Sequence, residues 1–102
     1  MVVLEFSMFP VDKGESLSRY VARSLAIIEA SGLPYQLHAM GTLLEGEYQQ
    51  VMDVVRQCFE AMAEDCQRIE CSVKIDYRKG HRDRLAGKVA SVEAKLGHAV
   101  KK

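Results

Sequence analysis

The sequence predicts an α+β fold of the ferredoxin-like class, with two helices on one face of a four-stranded antiparallel sheet and a further C-terminal helix. Residues 2–9 and 69–77 alternate between apolar and other side chains, which is typical of strands. Residues 16–31 and 47–65 instead repeat apolar side chains every three or four positions, which is typical of helices. A short hairpin at 35–45 completes the order β-α-β-β-α-β, whose right-handed crossovers put both main helices on one face.

The first strand and the first helix have recognisable ends. Pro10 ends the strand, because proline lacks the N–H group that a ladder needs. Ser16 is the predicted N-cap of the helix, and Gly32 is its predicted C-cap. The strand residues expected under the helices are Leu4, Phe6 and Met8. The predicted apolar stripes are Leu17, Tyr20, Val21, Ser24, Leu25 and Ile28 in the first helix, and Tyr48, Val51, Val55, Cys58, Phe59 and Met62 in the second.

The remaining elements follow from the same patterns. Two short strands, Tyr35–Ala39 and Thr42–Glu45, are predicted to meet at a tight turn at Met40-Gly41. In the last strand, residues 69–77, we expect the apolar side chains under the helices: Val73, Ile75 and Tyr77. A third helix over 83–96 carries a narrow apolar stripe suited to a neighbouring helix: Leu85, Val89, Val92 and Leu96.

Composition narrows the class of protein. The 102 residues make up one domain, 1–102, and 14 basic residues balance 14 acidic ones, which gives no broad field for a nucleic acid. No apolar run approaches the roughly 20 residues of a membrane span, and the N-terminus does not resemble a signal peptide. Cys58, Cys66 and Cys71 lack CxxC spacing, and Cys58 and Cys71 fall on apolar faces, so we expect buried reduced thiols in a cytoplasmic protein.

The sheet face opposite the two helices is predicted to be polar. The side chains expected there are Glu5, Ser7, His38, Glu45, Lys74 and Asp76, with Val3 and Leu43 as apolar members. Such a face is explained equally well by solvation or by recognition of a small polar molecule. It lacks the exposed aromatic side chains with which RNA-recognition modules stack bases.

Motifs of catalysis and metal binding are missing. The sequence contains no GxSxG, GxGxxG or GxxxxGK[ST] motif, and His38, His81 and His98 lack partners at metal-ligand spacing. We therefore expect no cofactor and no metal. The dense charges of residues 74–82 fit either a solvated loop or an anion clamp, with Lys74, Asp76, Arg78 and Arg82 as candidate anion-binding residues.

Several segments resemble the MTH1187/YkoF-like family of thiamine-binding proteins, also called UPF0045 or DUF77. The segments are 5–10 (EFSMFP), 31–35 (SGLPY), 40–42 (MGT) with Glu45-Gly46, and 74–78 (KIDYR). The resemblance implies a ferredoxin-like fold, assembly into homodimers or tetramers, and binding of thiamine or its hydroxymethylpyrimidine moiety without catalysis. The positions that match the family's motif segments are Ser7, Tyr35, Met40, Gly41, Thr42 and Glu45, with Asp76 and Arg78 in the last strand.

These observations give a leading hypothesis and two alternatives. The leading one is a non-catalytic site for a thiamine-like ligand at or near a subunit interface, formed by Glu5, Ser7, Tyr35, His38, Met40, Gly41, Thr42 and Glu45. In it, Glu5 or Glu45 pairs with the cationic ligand. The second is a self-assembling regulatory or interaction module without a small ligand. The third is an enzyme that uses a cluster of Asp76, Arg78 and His81.

Overall fold

The computed structural model describes residues 1–101 and confirms the predicted order of elements. Its elements are β1 (Val2–Pro10), α1 (Ser18–Ser31), β2 (Tyr35–His38), β3 (Gly41–Gly46), α2 (Tyr48–Ala63), β4 (Ile69–Tyr77) and α3 (Arg84–Leu96). The four strands form one antiparallel sheet in the order β2-β3-β1-β4, which is the ferredoxin-like arrangement. Lys102, the end of the predicted domain, lies outside the described residues.

The core lies between the sheet and the pair α1 and α2. As predicted, Leu4, Phe6 and Met8 of β1 are buried there. Leu44 of β3 stands opposite Leu4 and is fully buried with it. Because α1 and α2 pack mainly over the two central strands, these strands form the floor of the core.

The prediction that the apolar side chains of β4 are buried under the helices is wrong. Val73, Ile75 and Tyr77 stand opposite inward-facing residues of β1, so they do point to the helix side. They are nevertheless 41%, 39% and 62% exposed. The reason is position: β4 is the edge strand beside β1, and α1 and α2 cover β1 and β3 instead. An alternating pattern predicts the face of a strand but not whether another element covers that face.

Two predicted boundaries shift by one or two residues. Ser16 is not the N-cap of α1; Leu17 is, and no side chain caps this helix. The hairpin turn is Ala39-Met40, because Gly41 already pairs with His38 as the first residue of β3. Gly32 has the left-handed conformation predicted for the C-cap of α1, with φ 74°.

The buried stripe of α2 is rotated from the predicted one. Val54 is buried although the pattern omitted it, whereas Tyr48 and Phe59 are 58% and 48% exposed. In α1, Val21 is also exposed, and Ile27 packs against the core instead. Because α1 and α2 pack against each other as well as on the sheet, their buried faces turn towards their shared contact.

The apolar stripe of the third helix predicted a contact with a neighbouring helix, but α3 does not pack in this way. It contacts β3, and its first turn meets Glu45, which points to the sheet face opposite α1 and α2. Leu85 and Val89 are half-buried, but Val92 and Leu96 are 42% and 53% exposed. The face that the two main helices leave open is therefore partly covered by α3.

The molecule is elongated, with extents of 46 × 28 × 21 Å. Its radius of gyration is 15.0 Å, whereas a compact domain of this length has about 13 Å. Within residues 1–101, no helix combines the length and apolar character that a membrane span requires.

The cysteines are free thiols in two environments. Cys58 and Cys66 are buried, and burial raises the pKa of the Cys58 thiol to about 11. Cys71 is exposed, which corrects the expectation that it is buried. It shares the uncovered side of β4 with Val73, so the same edge position explains both errors.

A candidate ligand-binding groove between the sheet and the third helix

A groove of about 370 Å³ separates α3 from the open face of the sheet. This volume falls within the range of small-molecule sites. The sheet contributes Val3, Glu5, Gln36, Leu43, Lys74 and Asp76, and the helix contributes Arg84, Leu85, Lys88 and Val89. The groove thus combines apolar walls with charged groups of both signs.

Of the acidic side chains that line the groove, Glu5 has the fewest polar partners within the protein. It projects from the central strand β1, and its carboxylate is 48% exposed. His38 Nε2 lies 3.3 Å from Glu5 Oε2, and His38 Nδ1 accepts the N–H of Met40 at 3.2 Å. Since Nδ1 accepts, the proton of the neutral ring lies on Nε2 and faces the carboxylate. This contact orients Glu5 while leaving much of its carboxylate open to the groove.

Glu45 has a different role from the one expected of a ligand partner. It is only 2% exposed, and its two oxygens accept the N–H groups of Arg84 at 2.7 Å and Leu85 at 3.4 Å. Asp83, the N-cap of α3, makes no side-chain cap of its own. A buried carboxylate from β3 therefore caps α3 by direct contact with its first turn, where the positive end of the helix dipole favours it.

Asp76 fixes the same end of α3 from the neighbouring strand. Its carboxylate pairs with the Arg84 guanidinium, which also donates to the Asp76 carbonyl at 3.1 Å. Because Glu45 and Asp76 both bind the first turn of α3, Glu5 is the groove carboxylate that remains for a ligand.

The other predicted site residues are dispersed. Tyr35 lines a second depression, of about 740 Å³, that adjoins the groove between β2 and α3. Ser7 lies on the open face opposite Ser72, outside the lining of the groove. Met40 is 81% exposed in the hairpin turn.

Two members of the MGT segment are held by packing within the sheet. Thr42 stands opposite Phe6, and with 7% exposure it faces the core under α1 and α2. Gly41 packs against the backbone of β1, where a Cβ atom would lie 2.7 Å from the Phe6 carbonyl oxygen. Both residues shape the hairpin that carries His38.

The basic candidates divide between two places. Lys74 lines the groove together with Asp76. Arg78 and Arg82 instead line a separate cleft on the outer side of α3, with His81. The predicted cluster of Asp76, Arg78 and His81 is therefore divided, since Asp76 points to the groove.

Sequence reasoning missed the contribution of α3 and of Gln36. The spacing of Leu85 and Val89 did indicate an apolar face, but it was interpreted as a contact with another helix. The short connection between β4 and α3 was the available signal, because it limits how far α3 can move from the sheet. Within the described residues, no group of three His, Cys, Asp or Glu side chains could hold a metal ion.

Comparisons with known proteins agree with this architecture. A family model described as "Thiamine-binding protein" matches residues 4–93. A UPF0045 protein of Mycobacterium bovis is 38% identical, with 93% of this chain and 94% of that protein covered. The crystal structure of the protein MJ1052 of Methanocaldococcus jannaschii is 31% identical and has a TM-score of 0.83, covering 89% of this chain and 94% of that one.

A fourth match has the same fold. A Thermotoga maritima protein described as a "putative thiamine biosynthesis/salvage protein" has a TM-score of 0.78 at 23% identity, covering 89% of this chain and 97% of that one. At this identity the likeness concerns the fold alone. The family match, which spans most of the chain, is the decisive finding: the chain belongs to the thiamine-binding protein family, UPF0045.

Proposed function

We propose that the protein binds thiamine or a hydroxymethylpyrimidine-like ligand, without catalysis, in the groove between the sheet and α3. The observation that carries the proposal is the Glu5 carboxylate, half exposed at the floor of a groove with apolar walls. Thiamine has a cationic thiazolium ring and an aminopyrimidine that donates hydrogen bonds. A carboxylate satisfies both groups, and charge-assisted hydrogen bonds are the stronger kind. The description of the family supports the same ligand class.

The apolar walls suit the flat rings of such a ligand. Val3 and Leu43 form part of the floor, and Leu85 and Val89 form part of the opposite wall. Gln36, at the β2 side, supplies an amide that both donates and accepts hydrogen bonds. Contact with the apolar walls would favour the pyrimidine, while Glu5 and Gln36 would fix its orientation.

Titration calorimetry with thiamine and with hydroxymethylpyrimidine tests this function. We expect binding by the wild type and about tenfold weaker thiamine binding by Glu5→Gln, which removes the charge but keeps the shape. Glu70→Gln is the matched control, since Glu70 occupies the same sheet face on β4 but does not line the groove. If neither ligand binds at millimolar concentration, the proposal is wrong.

We further propose that the protein is a cytoplasmic homo-oligomer whose site lies beside a subunit interface. The supporting feature is β4, whose outer edge has no partner strand within residues 1–101. Unpaired strand edges with exposed apolar side chains favour pairing with another strand. Because Lys74 and Asp76 of β4 line the groove, a copy paired along β4 would lie next to the ligand. The free thiols suit a reducing compartment.

A self-assembling module without a small ligand is the second candidate. The observation that favours it is the exposure of Val92 and Leu96, which continue the apolar stripe of α3 beyond the sheet. Oligomerisation together with a null result in the calorimetry above would favour this candidate over ligand binding.

A further inference from the structure

A second cavity lies on the outer side of α3, and its charge differs sharply from that of the groove. This basic cleft has a volume of about 490 Å³ between the β4–α3 loop and the helix. It is lined by Arg78, His81, Arg82, Arg84, Gly87, Lys88, Ser91, Val92 and Lys95. Five cations therefore surround one cavity in a chain whose net charge is zero.

The cations of the basic cleft are mostly uncompensated. Within residues 1–101, no carboxylate lines the cleft. Four of its cations form no ion pair with another described residue: Arg78, Arg82, Lys88 and Lys95. Arg84 alone is neutralised, by Asp76. Like charges that line one cavity repel each other, so an anion in the cleft would relieve this repulsion as well as form new hydrogen bonds.

The basic cleft adjoins the groove at α3, where the two cavities share lining residues. Arg84 and Lys88 line both cavities, and they lie four residues apart on the same side of the helix. The groove on one side of this turn is lined by Glu5, and the cleft is lined by Arg78 and Arg82. The combined surface thus offers a half-exposed carboxylate in the groove and a group of cations without carboxylates in the adjoining cleft.

We propose that the basic cleft binds the phosphate of a phosphorylated ligand whose cationic, ring-bearing part lies in the groove. This inference rests on the proposed function and specifies its ligand: a thiamine phosphate ester, in preference to free thiamine. The guanidinium groups of Arg78 and Arg82 can donate paired hydrogen bonds to phosphate oxygens, and Lys88 and Lys95 add point charges. The Glu5 carboxylate in the groove and the cations of the cleft then match a ligand with a cation at one end and an anion at the other.

The test compares thiamine with thiamine diphosphate by calorimetry at low ionic strength. We expect the diphosphate to bind at least about tenfold more tightly, and this advantage to shrink with added salt because the cations are exposed. The double variant Arg82→Gln/Lys95→Gln should reduce the preference for the diphosphate about tenfold. Lys79→Gln is the matched control, since it removes a charge from the same loop but does not line the cleft.

The outcomes separate this inference from the proposed function. Equal affinity for thiamine and its diphosphate, or an equal loss of preference in Lys79→Gln, would overturn the phosphate site and leave thiamine binding intact. Inorganic pyrophosphate provides an independent probe, and amide NMR shifts confined to residues 78–95 would support the site. Pyrophosphate binding without any binding of thiamine or its diphosphate would overturn the two-part ligand together with the proposed function.

Discussion

At the scale of single residues, Gly41 shows how closely the hairpin and the central strand approach each other. It stands beside the Phe6 backbone, and the nearest atom to an added Cβ would be a carbonyl oxygen at 2.7 Å. A backbone atom cannot rotate away as a flexible side chain can. Any residue other than glycine here must therefore displace β3 from β1 or distort the hairpin that carries His38.

The substitution Gly41→Ala tests this packing. We expect it to lower the free energy of unfolding by about 1–3 kcal/mol, because the new methyl group overlaps the Phe6 carbonyl. Gly87→Ala is the matched control, since nothing lies within 4 Å of its added Cβ in α3. There the better helix propensity of alanine should give a gain of about 0.5–1 kcal/mol. Urea unfolding measures both, and equal effects would contradict the close approach.

Sequence reasoning found the residue roles that depend on neighbouring positions in the chain. It missed those that depend on partners far away in the chain. Glu5 was predicted correctly to lie on the open face, because alternation along one strand fixes the face of every residue. The role of Glu45 depends on Arg84 and Leu85, which lie about 40 positions later. No local pattern contains that information, so a capping carboxylate was interpreted as a ligand partner.

At the scale of elements, the position of α3 depends on contacts with two strands. Glu45→Gln should weaken the docking, because the neutral amide interacts less with the helix N-terminus than a carboxylate does. We expect a loss of about 1 kcal/mol in the unfolding free energy and faster hydrogen exchange in the first turns of α3. Glu64→Gln, at an exposed position after α2, is the control. Unchanged exchange in α3 would mean that Glu45 does not hold it.

The contact between α1 and the end of α2 should depend on pH. Asp65 accepts two hydrogen bonds from Arg23, at 2.8 and 3.0 Å, and these lower the pKa of Asp65 to about 2. Since the unfolded chain has the higher pKa, near 3.8, the stabilisation is complete above about pH 5 and is lost progressively as the pH falls through 2. The pair is half-exposed, so the effect should be small.

A double-mutant cycle of Arg23→Gln and Asp65→Asn, followed by thermal unfolding, measures this coupling. We expect a favourable coupling between the two side chains at pH 6 that is mostly lost by pH 2. A coupling of the same size at both values would show that the ion pair does not cause it.

The helices and strands were largely predictable from the sequence, whereas the question of which helix covers which strand was not. Strand β4 was predicted with its exact bounds, 69–77, because alternation over nine residues is a strong local signal. Its exposure was missed because it depends on where α1 and α2 cross the sheet. The same limit applies to α3, whose apolar spacing is compatible with either a helix or a sheet as its neighbour.

At the scale of the whole molecule, the elongated shape and the uncovered edge both favour a second copy of the chain. Light scattering should therefore show a dimer or larger assembly. Ile75→Glu, on the exposed side of β4, should shift the population towards the monomer, because burying a charge at an interface is unfavourable. Val21→Glu on α1 is a control of equal exposure, 38% against 39%. A monomeric wild type at all concentrations would contradict this assembly.

Amide NMR shifts on adding thiamine test directly whether a thiamine-like ligand occupies the groove between the sheet and α3. We predict saturable shifts at Val3, Glu5 and Leu43 in the sheet and at Leu85 and Val89 in the helix. The exposed face of α2 should be unaffected. An unchanged spectrum at millimolar thiamine, or shifts confined to α1 and α2, would contradict the account.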